Sequence, residues 1–246
     1  MFLPLCDTMG SFTGSWILFC NILNFKIMKR ICLILFCLTI IDNSVTGQVI
    51  DKNSFGVIMN DSFIAIGSAF IVGMPNIVVS CDHVGSKNHY GKKYFQPGHT
   101  IKNYELTQIR SDSSLDLICY SVKETITNKP LNIDSSGLPI KLDSIFYLGC
   151  DFNKSSIDKY IFFWERSKII SPKRQYTWNH VKTECIEYIG KAIGGYSGGP
   201  VFNLKGNVVG LISQKTEMFI KKGNKIDTVS MNRAYSILPI IDWLNE

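Results

Sequence analysis

From about residue 49 onward, the chain is a succession of short runs rich in Ile, Val, Phe and Tyr. Gly, Asn, Asp, Ser and Lys separate these runs, and several runs alternate apolar and polar residues as half-buried β-strands do. We predict strands at residues 62–72, 76–81, 116–122, 144–149, 159–164, 181–188 and 207–213. The segment from Asn203 to Gly206 predicts a hairpin turn, since glycine can adopt a positive φ. Many short strands without helical patterns between them restrict the fold to an all-β sandwich or barrel.

The end of the chain alone has helical periodicity. The apolar residues that share one helical face there are Ile237, Ile240, Ile241 and Leu244. They predict a short C-terminal helix within residues 236–245. No internal repeat, low-complexity tract or Pro-rich linker occurs, so we predict one functional domain at residues 48–246.

Composition and charge exclude two classes of protein. Hydrophobic residues make up 46% of the chain and charged residues 19%, which suffices to bury a core and excludes a mainly disordered chain. The net charge is +6, but no run of Lys or Arg forms the stripe that a nucleic acid would require. We therefore expect no nucleic-acid partner.

The first 47 residues resemble a leader that directs export. A basic tripeptide at 28–30 precedes an apolar run at 31–41, and the small residues Val45 and Gly47 follow a polar stretch. A charged region, an apolar region and small residues in this order are typical of a secretory signal peptide, with cleavage after Gly47. The sequence therefore predicts a secreted or periplasmic protein with a leader at residues 1–47.

Two alternatives concern this leader. Met28 is a candidate for the true start, because a signal peptide does not need the 27 residues before it. The leader could also stay uncleaved as an amphipathic anchor, which would be the protein's only link to a membrane. A membrane-spanning helix needs about 20 apolar residues, more than either apolar run of the leader contains.

Four cysteines lie beyond the leader: Cys81, Cys119, Cys150 and Cys185. An even number in an exported protein permits two disulfides, with three connectivities. Several of these cysteines lie in apolar runs, where buried free thiols are an equal alternative. Their spacing fits no zinc-binding pattern, and we expect no metal site.

The segment Gly195-Tyr196-Ser197-Gly198-Gly199-Pro200 is the strongest functional signal. Glycines around a serine give the backbone the freedom to point the N–H groups of Gly195 and Ser197 at one spot. Two such donors would stabilise the oxyanion of a tetrahedral intermediate, an effect worth about 3–4 kcal/mol for each donor. The pattern indicates a nucleophilic Ser197, and the alternative is a glycine-rich loop with an idle serine.

Two further residues could complete a catalytic group with this serine. His83 follows the apolar run 77–81, where a general base could be held rigidly. Asp116 directly precedes an apolar strand, and a buried acid there needs a hydrogen-bond donor such as imidazole. Structural roles are the alternatives for both, and Asp112 is a rival acid four residues earlier.

The order His83, Asp116, Ser197 resembles that of the chymotrypsin-like serine proteases. The stretches that carry the resemblance are Gly-Ser-Ala-Phe-Ile-Val at 67–72, Ser-Cys-Asp-His-Val at 80–84, Asp-Leu-Ile-Cys at 116–119 and Tyr-Ser-Gly-Gly-Pro-Val at 196–201. They are similar to the trypsin-like domain of bacterial high-temperature-requirement proteases, over roughly residues 53–246 and without the PDZ domain. The resemblance implies two six-stranded antiparallel β-barrels and a short C-terminal helix, with the catalytic triad in the cleft between the barrels.

The resemblance also implies a role for each site residue. Ser197 would be the nucleophile of an endopeptidase, His83 the general base and then acid, and Asp116 the residue that sets the imidazole tautomer. Ser213 would hydrogen-bond the acid and begin the strand that pairs with substrate. The implied partners are protein or peptide substrates, with no metal or organic cofactor. The rival function is a pseudoprotease that binds peptides without cleaving them.

By the same resemblance, the primary specificity pocket would be formed near five residues. These are Lys191, Gln214, Lys215, Asn232 and Arg233. None is acidic and three are cationic, so a substrate Arg or Lys would meet like charge at a cost of several kcal/mol. The sequence therefore predicts cleavage after small apolar residues first and after acidic residues second.

Two departures from the family pattern carry further expectations. Cys81 and Asp82 precede the histidine where the family has two small residues. We expect Asp82 to face solvent, and the alternative is that it raises the pKa of the imidazole. Tyr196 replaces the Asp that pairs with a freshly cut N-terminus in digestive members, so we expect no zymogen cleavage beyond removal of the leader.

Overall fold

The computed structural model of the protein describes residues 50–86, 91–139, 144–155, 160–178, 181–190, 193–222 and 225–246. The chain divides into two units, Met1–Thr46 and Gly47–Glu246. The leader, its signal peptide and the cleavage after Gly47 lie outside the described residues and stay predictions. In the described part, no helix is both long enough and apolar enough to cross a membrane.

The first half of the second unit forms a closed antiparallel barrel of six strands. Its strands are β1 (Phe55–Met59), β2 (Ala65–Ile71), β3 (Ile77–Ser80), β4 (Lys93–Pro97), β5 (Tyr104–Asp112) and β6 (Leu117–Ser121). Their order around the barrel is β1-β2-β3-β6-β5-β4, and β1 closes it by pairing with both β2 and β4.

The second half repeats this arrangement. Its strands are β7 (Ser144–Cys150), β8 (Phe162–Trp178), β9 (Val181–Ile189), β10 (Pro200–Phe202), β11 (Val208–Lys222) and β12 (Lys225–Ser236). Their order is β10-β11-β12-β9-β8-β7, and β10 closes the barrel by pairing with both β11 and β7. The fold class expected from the resemblance is therefore confirmed.

Two helices accompany the barrels in the described part. The four-residue α1 (Asp82–Gly85) follows β3, and the eight-residue α2 (Leu238–Asn245) follows β12. Ile237 and Ile240 are fully buried with the core of the first barrel, although both come from the chain end that follows the second. The α2 helix thereby fastens the end of the chain to the first barrel.

The apolar cores lie inside the barrels and between them. The first core combines residues of β2, β3 and β6 with Phe202, Val208 and Leu211 from the second barrel. The interior of the second barrel contains Tyr147 and Tyr188, whose ring centroids are 5.0 Å apart. Burying a large apolar side chain contributes about 1.5–3 kcal/mol, so this shared core holds the two barrels against each other.

The predicted strands are all present, but several bounds differ and five strands were not predicted as such. β4, β5 and β10 lack a strong apolar run: β10 has three residues, and most residues of β5 are exposed. Strand β8 continues far beyond residue 164, because pairing with β7 and β9 incorporates its polar residues. β1 and most of β12 were likewise missed.

The four cysteines beyond the leader are buried, and none of them forms a disulfide among the described residues. Burial raises the pKa of the Cys119 thiol to about 12 and that of Cys150 to about 11. Of the two alternatives left open by the sequence, the structure has the buried thiols.

Candidate active site

Three loops meet where the two barrels touch, and each carries one predicted catalytic residue. His83 lies in α1, Asp116 directly precedes β6, and Ser197 lies in the loop before β10. Ser68 of β2 connects the first barrel to the serine loop. Its N–H donates to the Ser197 carbonyl at 2.8 Å, and its Oγ donates to the Gly195 carbonyl at 2.6 Å.

The sequence predicts His83 at the end of a strand, but the structure places it in a helical turn. Cys81 is extended and its carbonyl accepts from the N–H groups of Val84 and Gly85, which starts the turn immediately after β3. A side chain at position 85 would collide with the Tyr120 hydroxyl, so glycine is the residue that fits at this position. The short α1 thus places His83 three residues after the end of β3.

Asp116 is the acid that the structure brings to His83. Nδ1 of the imidazole lies 2.8 Å from Oδ2 and 2.9 Å from Oδ1 of Asp116. The His83 backbone N–H also donates to Oδ1 at 2.9 Å, and the Ser213 hydroxyl donates to Oδ2. Four contacts from two residues therefore fix both the carboxylate and the ring.

The electrostatics of this pair favour an ionised Asp116. Burial by itself raises the pKa of the carboxyl group, but the hydrogen bonds and charge of His83 and the bond from Ser213 outweigh it. The net result is a pKa below the ordinary value of an aspartate. An ionised carboxylate at Nδ1 holds the proton on that nitrogen and leaves Nε2 free to accept another.

Asp112, the rival acid, has a structural role. Its Oδ1 accepts from the backbone N–H of Ser114 at 2.9 Å and of Leu115 at 3.3 Å. This is the side-chain cap of a turn, which leads the chain from β5 into the loop that carries Asp116. Asp116 itself has a φ of 50°, an uncommon conformation for a residue with a side chain.

Two glycines with positive φ shape the loop that carries Ser197. Gly195 has a φ of 104° and Gly198 a φ of 85°. A side chain at position 198 would collide with the Ser68 carbonyl and the Ser80 hydroxyl. Among the described residues, none accepts a hydrogen bond from the N–H of Gly195 or of Ser197. In the described part of the chain, both donors are thus without an acceptor, which is what an oxyanion hole requires.

The Ser197 hydroxyl donates to the carbonyl oxygen of Ser213 at 3.3 Å. Within the described part of the chain, it makes no hydrogen bond to the His83 ring. Catalytic hydrogen bonds are often long or unformed until substrate binds, so this rotamer is compatible with a nucleophile. Ser213 contacts both the acid through its hydroxyl and the serine through its carbonyl.

Asp82 does not face solvent, and the expectation that it would is wrong. The residue is only 3% exposed, and its Oδ2 accepts from the hydroxyls of Ser86 at 2.9 Å and Ser113 at 2.7 Å. The error arose because a neighbour from the distant β5–β6 loop covers the carboxylate. No local pattern identifies such a neighbour.

Cys81, His83 and Asp116 offer three potential metal-ligand atoms within 4.8 Å of one another. The thiol already donates to the Ile212 carbonyl at 3.1 Å. Burial, together with the charge of Asp116, raises the pKa of Cys81 well above its usual value. A metal ion needs the thiolate, so this environment opposes metal binding.

The expected specificity residues come together only in part. Lys191 lies outside the described residues, as does the side chain of Lys215, while Lys215 pairs with Asn232 along β11 and β12. Arg233 donates to Glu187 at 3.0 Å and to Gln214 at 3.1 Å. Glu187, which no sequence pattern identifies, lies opposite Arg233 on β9 and neutralises its charge.

Asn232 is fully buried, and neither its Oδ1 nor its Nδ2 has a hydrogen-bond partner among the described residues. The hydroxyl of Tyr188, on the paired strand, is likewise buried without one. The interior beside the expected pocket is therefore polar.

Comparison with known proteins identifies one sequence family and several solved structures with a similar fold. The profile of the trypsin-like peptidase domain matches residues 67–211, more than half of the chain. No curated protein matches the chain by sequence.

Three solved structures illustrate the likeness in fold. The active form of the Rv3671c protease from M. tuberculosis is 18% identical, with a TM-score of 0.58 over 79% of this chain and 80% of that one. The inactive form of Rv3671c is 16% identical, with a TM-score of 0.57 over 79% and 88%. The MamO protease domain from Magnetospirillum magneticum, in its apo form, is 14% identical, with a TM-score of 0.53 over 78% and 95%. At these identities the likeness is one of fold.

Proposed function

Because this chain belongs to the trypsin-like peptidase family, we propose that it is a serine endopeptidase that cleaves peptide bonds through an acyl-enzyme. The observation that carries the proposal is the 2.8 Å contact between His83 Nδ1 and Asp116 at the junction of the barrels. Beside it lies Ser197, and the N–H groups of Gly195 and Ser197 have no acceptor among the described residues. These contacts support the roles of His83 as base, Asp116 as orienting acid and Ser197 as nucleophile beside an oxyanion site.

Acylation begins when the Ser197 hydroxyl leaves the Ser213 carbonyl and turns to Nε2 of His83. The imidazole accepts its proton as Oγ attacks the substrate carbonyl carbon. Asp116, ionised because of its lowered pKa, stabilises the imidazolium that forms. The N–H groups of Gly195 and Ser197 donate to the oxyanion of the tetrahedral intermediate.

The intermediate collapses when His83 donates the proton to the leaving amine, which breaks the peptide bond. Water then replaces the amine, loses a proton to His83 and attacks the acyl carbon. Release of the acid product returns the proton to Ser197.

Covalent labelling with a fluorophosphonate tests this proposal directly. We expect stoichiometric labelling of Ser197 in the wild-type protein, and loss of labelling in Ser197→Ala and His83→Ala. Ser62→Ala is the matched control, because Ser62 is an exposed serine on the β1–β2 turn. Circular dichroism should show that all variants fold.

The rival function predicts a different result. A pseudoprotease would fold and bind peptides without labelling, although the three residues are present. Wild-type protein with native circular dichroism and no labelling would therefore reject the endopeptidase and leave the peptide-binding module.

A further inference from the structure

The carboxylate of Asp82 is buried beside the proposed catalytic base. Asp82 is the first residue of α1 and His83 the second, and the acid is 3% exposed. A buried carboxylate is costly unless donors satisfy it. Its Oδ2 has two, the hydroxyls of Ser86 and Ser113, while Oδ1 has none among the described residues.

The two donors come from different parts of the fold. Ser86 directly follows α1, and its N–H and hydroxyl both donate to the Asp82 carbonyl at 2.7 Å. Its bonds stay within the turn that holds His83. Ser113 belongs to the loop between β5 and β6, three residues before Asp116. Oδ2 of Asp82 thus connects the turn of the base to the loop of the acid.

That loop needs an external constraint. Asp116 has a φ of 50°, and a conformation of this kind costs on the order of 1–3 kcal/mol and persists only where the surroundings impose it. Asp112 caps the turn at Ser114 and Leu115 from within the loop. Among the described residues of this loop, Ser113 is the one whose hydroxyl donates to Asp82, a residue outside the loop.

We propose that Asp82 is a positioning residue, which holds the Asp116 loop against the His83 turn through Ser113. This inference rests on the proposed function, since it assigns His83 and Asp116 the roles of base and acid. Asp82 touches neither substrate nor the reacting atoms. It acts on the distance and angle between the imidazole and its carboxylate.

The chain offers a matched set of serine variants to test this. Ser113→Ala removes the bond to the loop, and because Ser113 is exposed the change empties no core. Ser86→Ala removes the other donor to the same oxygen, a hydroxyl that also bonds the Asp82 carbonyl, and its effect stays within the α1 turn. Ser113→Thr keeps a hydroxyl at the loop position and serves as the conservative rescue.

Two kinds of measurement test the proposal: enzyme activity, and an NMR spectrum that does not depend on activity. We expect Ser113→Ala to lower kcat and the fluorophosphonate labelling rate by about tenfold with little change in KM, as loss of a charged hydrogen bond allows. Ser86→Ala should stay within about threefold of wild type, and Ser113→Thr should recover most of the loss. Proton NMR in a Ser197→Ala background should show the His83 Nδ1–H resonance shifted or broadened by Ser113→Ala alone.

The NMR measurement separates the two proposals. If wild type never labels, the endopeptidase fails, yet the Nδ1–H resonance still reports whether Asp82 positions the pair. Equal rates and equal spectra for Ser113→Ala and Ser86→Ala would overturn the positioning role. A spectrum changed in Ser113→Ala and restored in Ser113→Thr would support it.

Discussion

Ser213 contacts the acid and the nucleophile with different atoms. Its hydroxyl donates to Asp116, and its carbonyl accepts from Ser197 at 3.3 Å. The preceding carbonyl, that of Ile212, accepts from the Cys81 thiol and from the Gly198 N–H. Two consecutive residues at one point of β11 therefore join the His83 turn to the serine loop.

Replacement of Asp116 by asparagine tests the tautomer argument. The amide side chain would keep the shape of the carboxylate but could donate to Nδ1, which would leave the proton on the wrong nitrogen of His83. We expect Asp116→Asn to fold and to lower kcat/KM by roughly 10⁴-fold. Peptidase assays and circular dichroism check this, and a loss below tenfold would show that Asp116 does not orient the base.

The lowered pKa of Asp116 also has a consequence for stability against pH. Because the folded-state pKa lies below the unfolded value of about 3.9, the ionised group stabilises the fold above that pH. The contribution is lost as the pH falls through the folded-state value. The difference in unfolding free energy between wild type and Asp116→Asn should therefore be constant near pH 7 and shrink below about pH 4. Urea denaturation at pH 7 and pH 3 measures it, and a growing difference in acid would contradict the sign.

At the scale of strands, β9, β11 and β12 hold one polar cluster of the second barrel. Arg233 of β12 donates to Glu187 of β9 through both Nε and Nη2, each at 3.0 Å. Their side chains are 13% and 8% exposed, so this is a buried ion pair. Gln214 of β11 accepts from the same guanidinium.

Truncation of Glu187 removes the carboxylate that accepts from two nitrogens of the buried Arg233 guanidinium. We expect Glu187→Ala to lower the free energy of unfolding by about 3–5 kcal/mol, because the remaining charge is desolvated. Glu105→Ala is the control, since its pair with Lys92 is exposed and should matter by less than about 1 kcal/mol. Urea denaturation of both variants gives the comparison, and equal losses would refute the argument.

The same strands carry residues of the expected primary specificity pocket. Glu187 neutralises Arg233, so the like-charge argument now rests on Lys191 and Lys215, and the case for acidic substrates weakens. We still expect cleavage after small apolar residues and little after Arg or Lys, since no residue of the expected set is acidic. Digestion of a peptide library, with cleavage sites read by mass spectrometry, tests this. Dominant cleavage after Arg or Lys would overturn the pocket assignment and leave the triad untouched.

The candidate site depends on both barrels, because it lies where they meet. Ser68 of the first barrel holds the serine loop, donating to the carbonyls of Gly195 and Ser197, and accepts from the Cys150 N–H of the second. Tyr196, directly before the nucleophile, is buried against the Tyr147 ring inside the second barrel. An aromatic contact inside the second barrel thus holds the residue before Ser197.

This packing bears on maturation. Tyr196 needs no new N-terminus as a partner, so removal of the leader should suffice for activity. We expect protein produced from Gln48 onward to label with a fluorophosphonate at once. After expression of the chain with its leader, N-terminal sequencing should give Gln48 as the first residue. Activity that appears only after a further internal cut would contradict this expectation.

Much of the fold followed from local pattern, and parts of it could not. Apolar alternation located β2, β3, β6, β7 and β9 within a few residues. It missed β5 and β10, because one is largely exposed and the other is three residues long. Pairing with neighbouring strands, and not the strands' own composition, holds these segments extended.

The family, the all-β class and the candidate residues His83, Asp116 and Ser197 were predictable, because they follow from short motifs and from their order along the chain. The fold alone reveals that Asp82 is buried under Ser113, that Glu187 neutralises Arg233, and that the four cysteines beyond the leader are buried thiols. Each of these depends on which distant segments meet. Burial and charge pairing arise from such meetings, so no stretch of the chain read alone contains them.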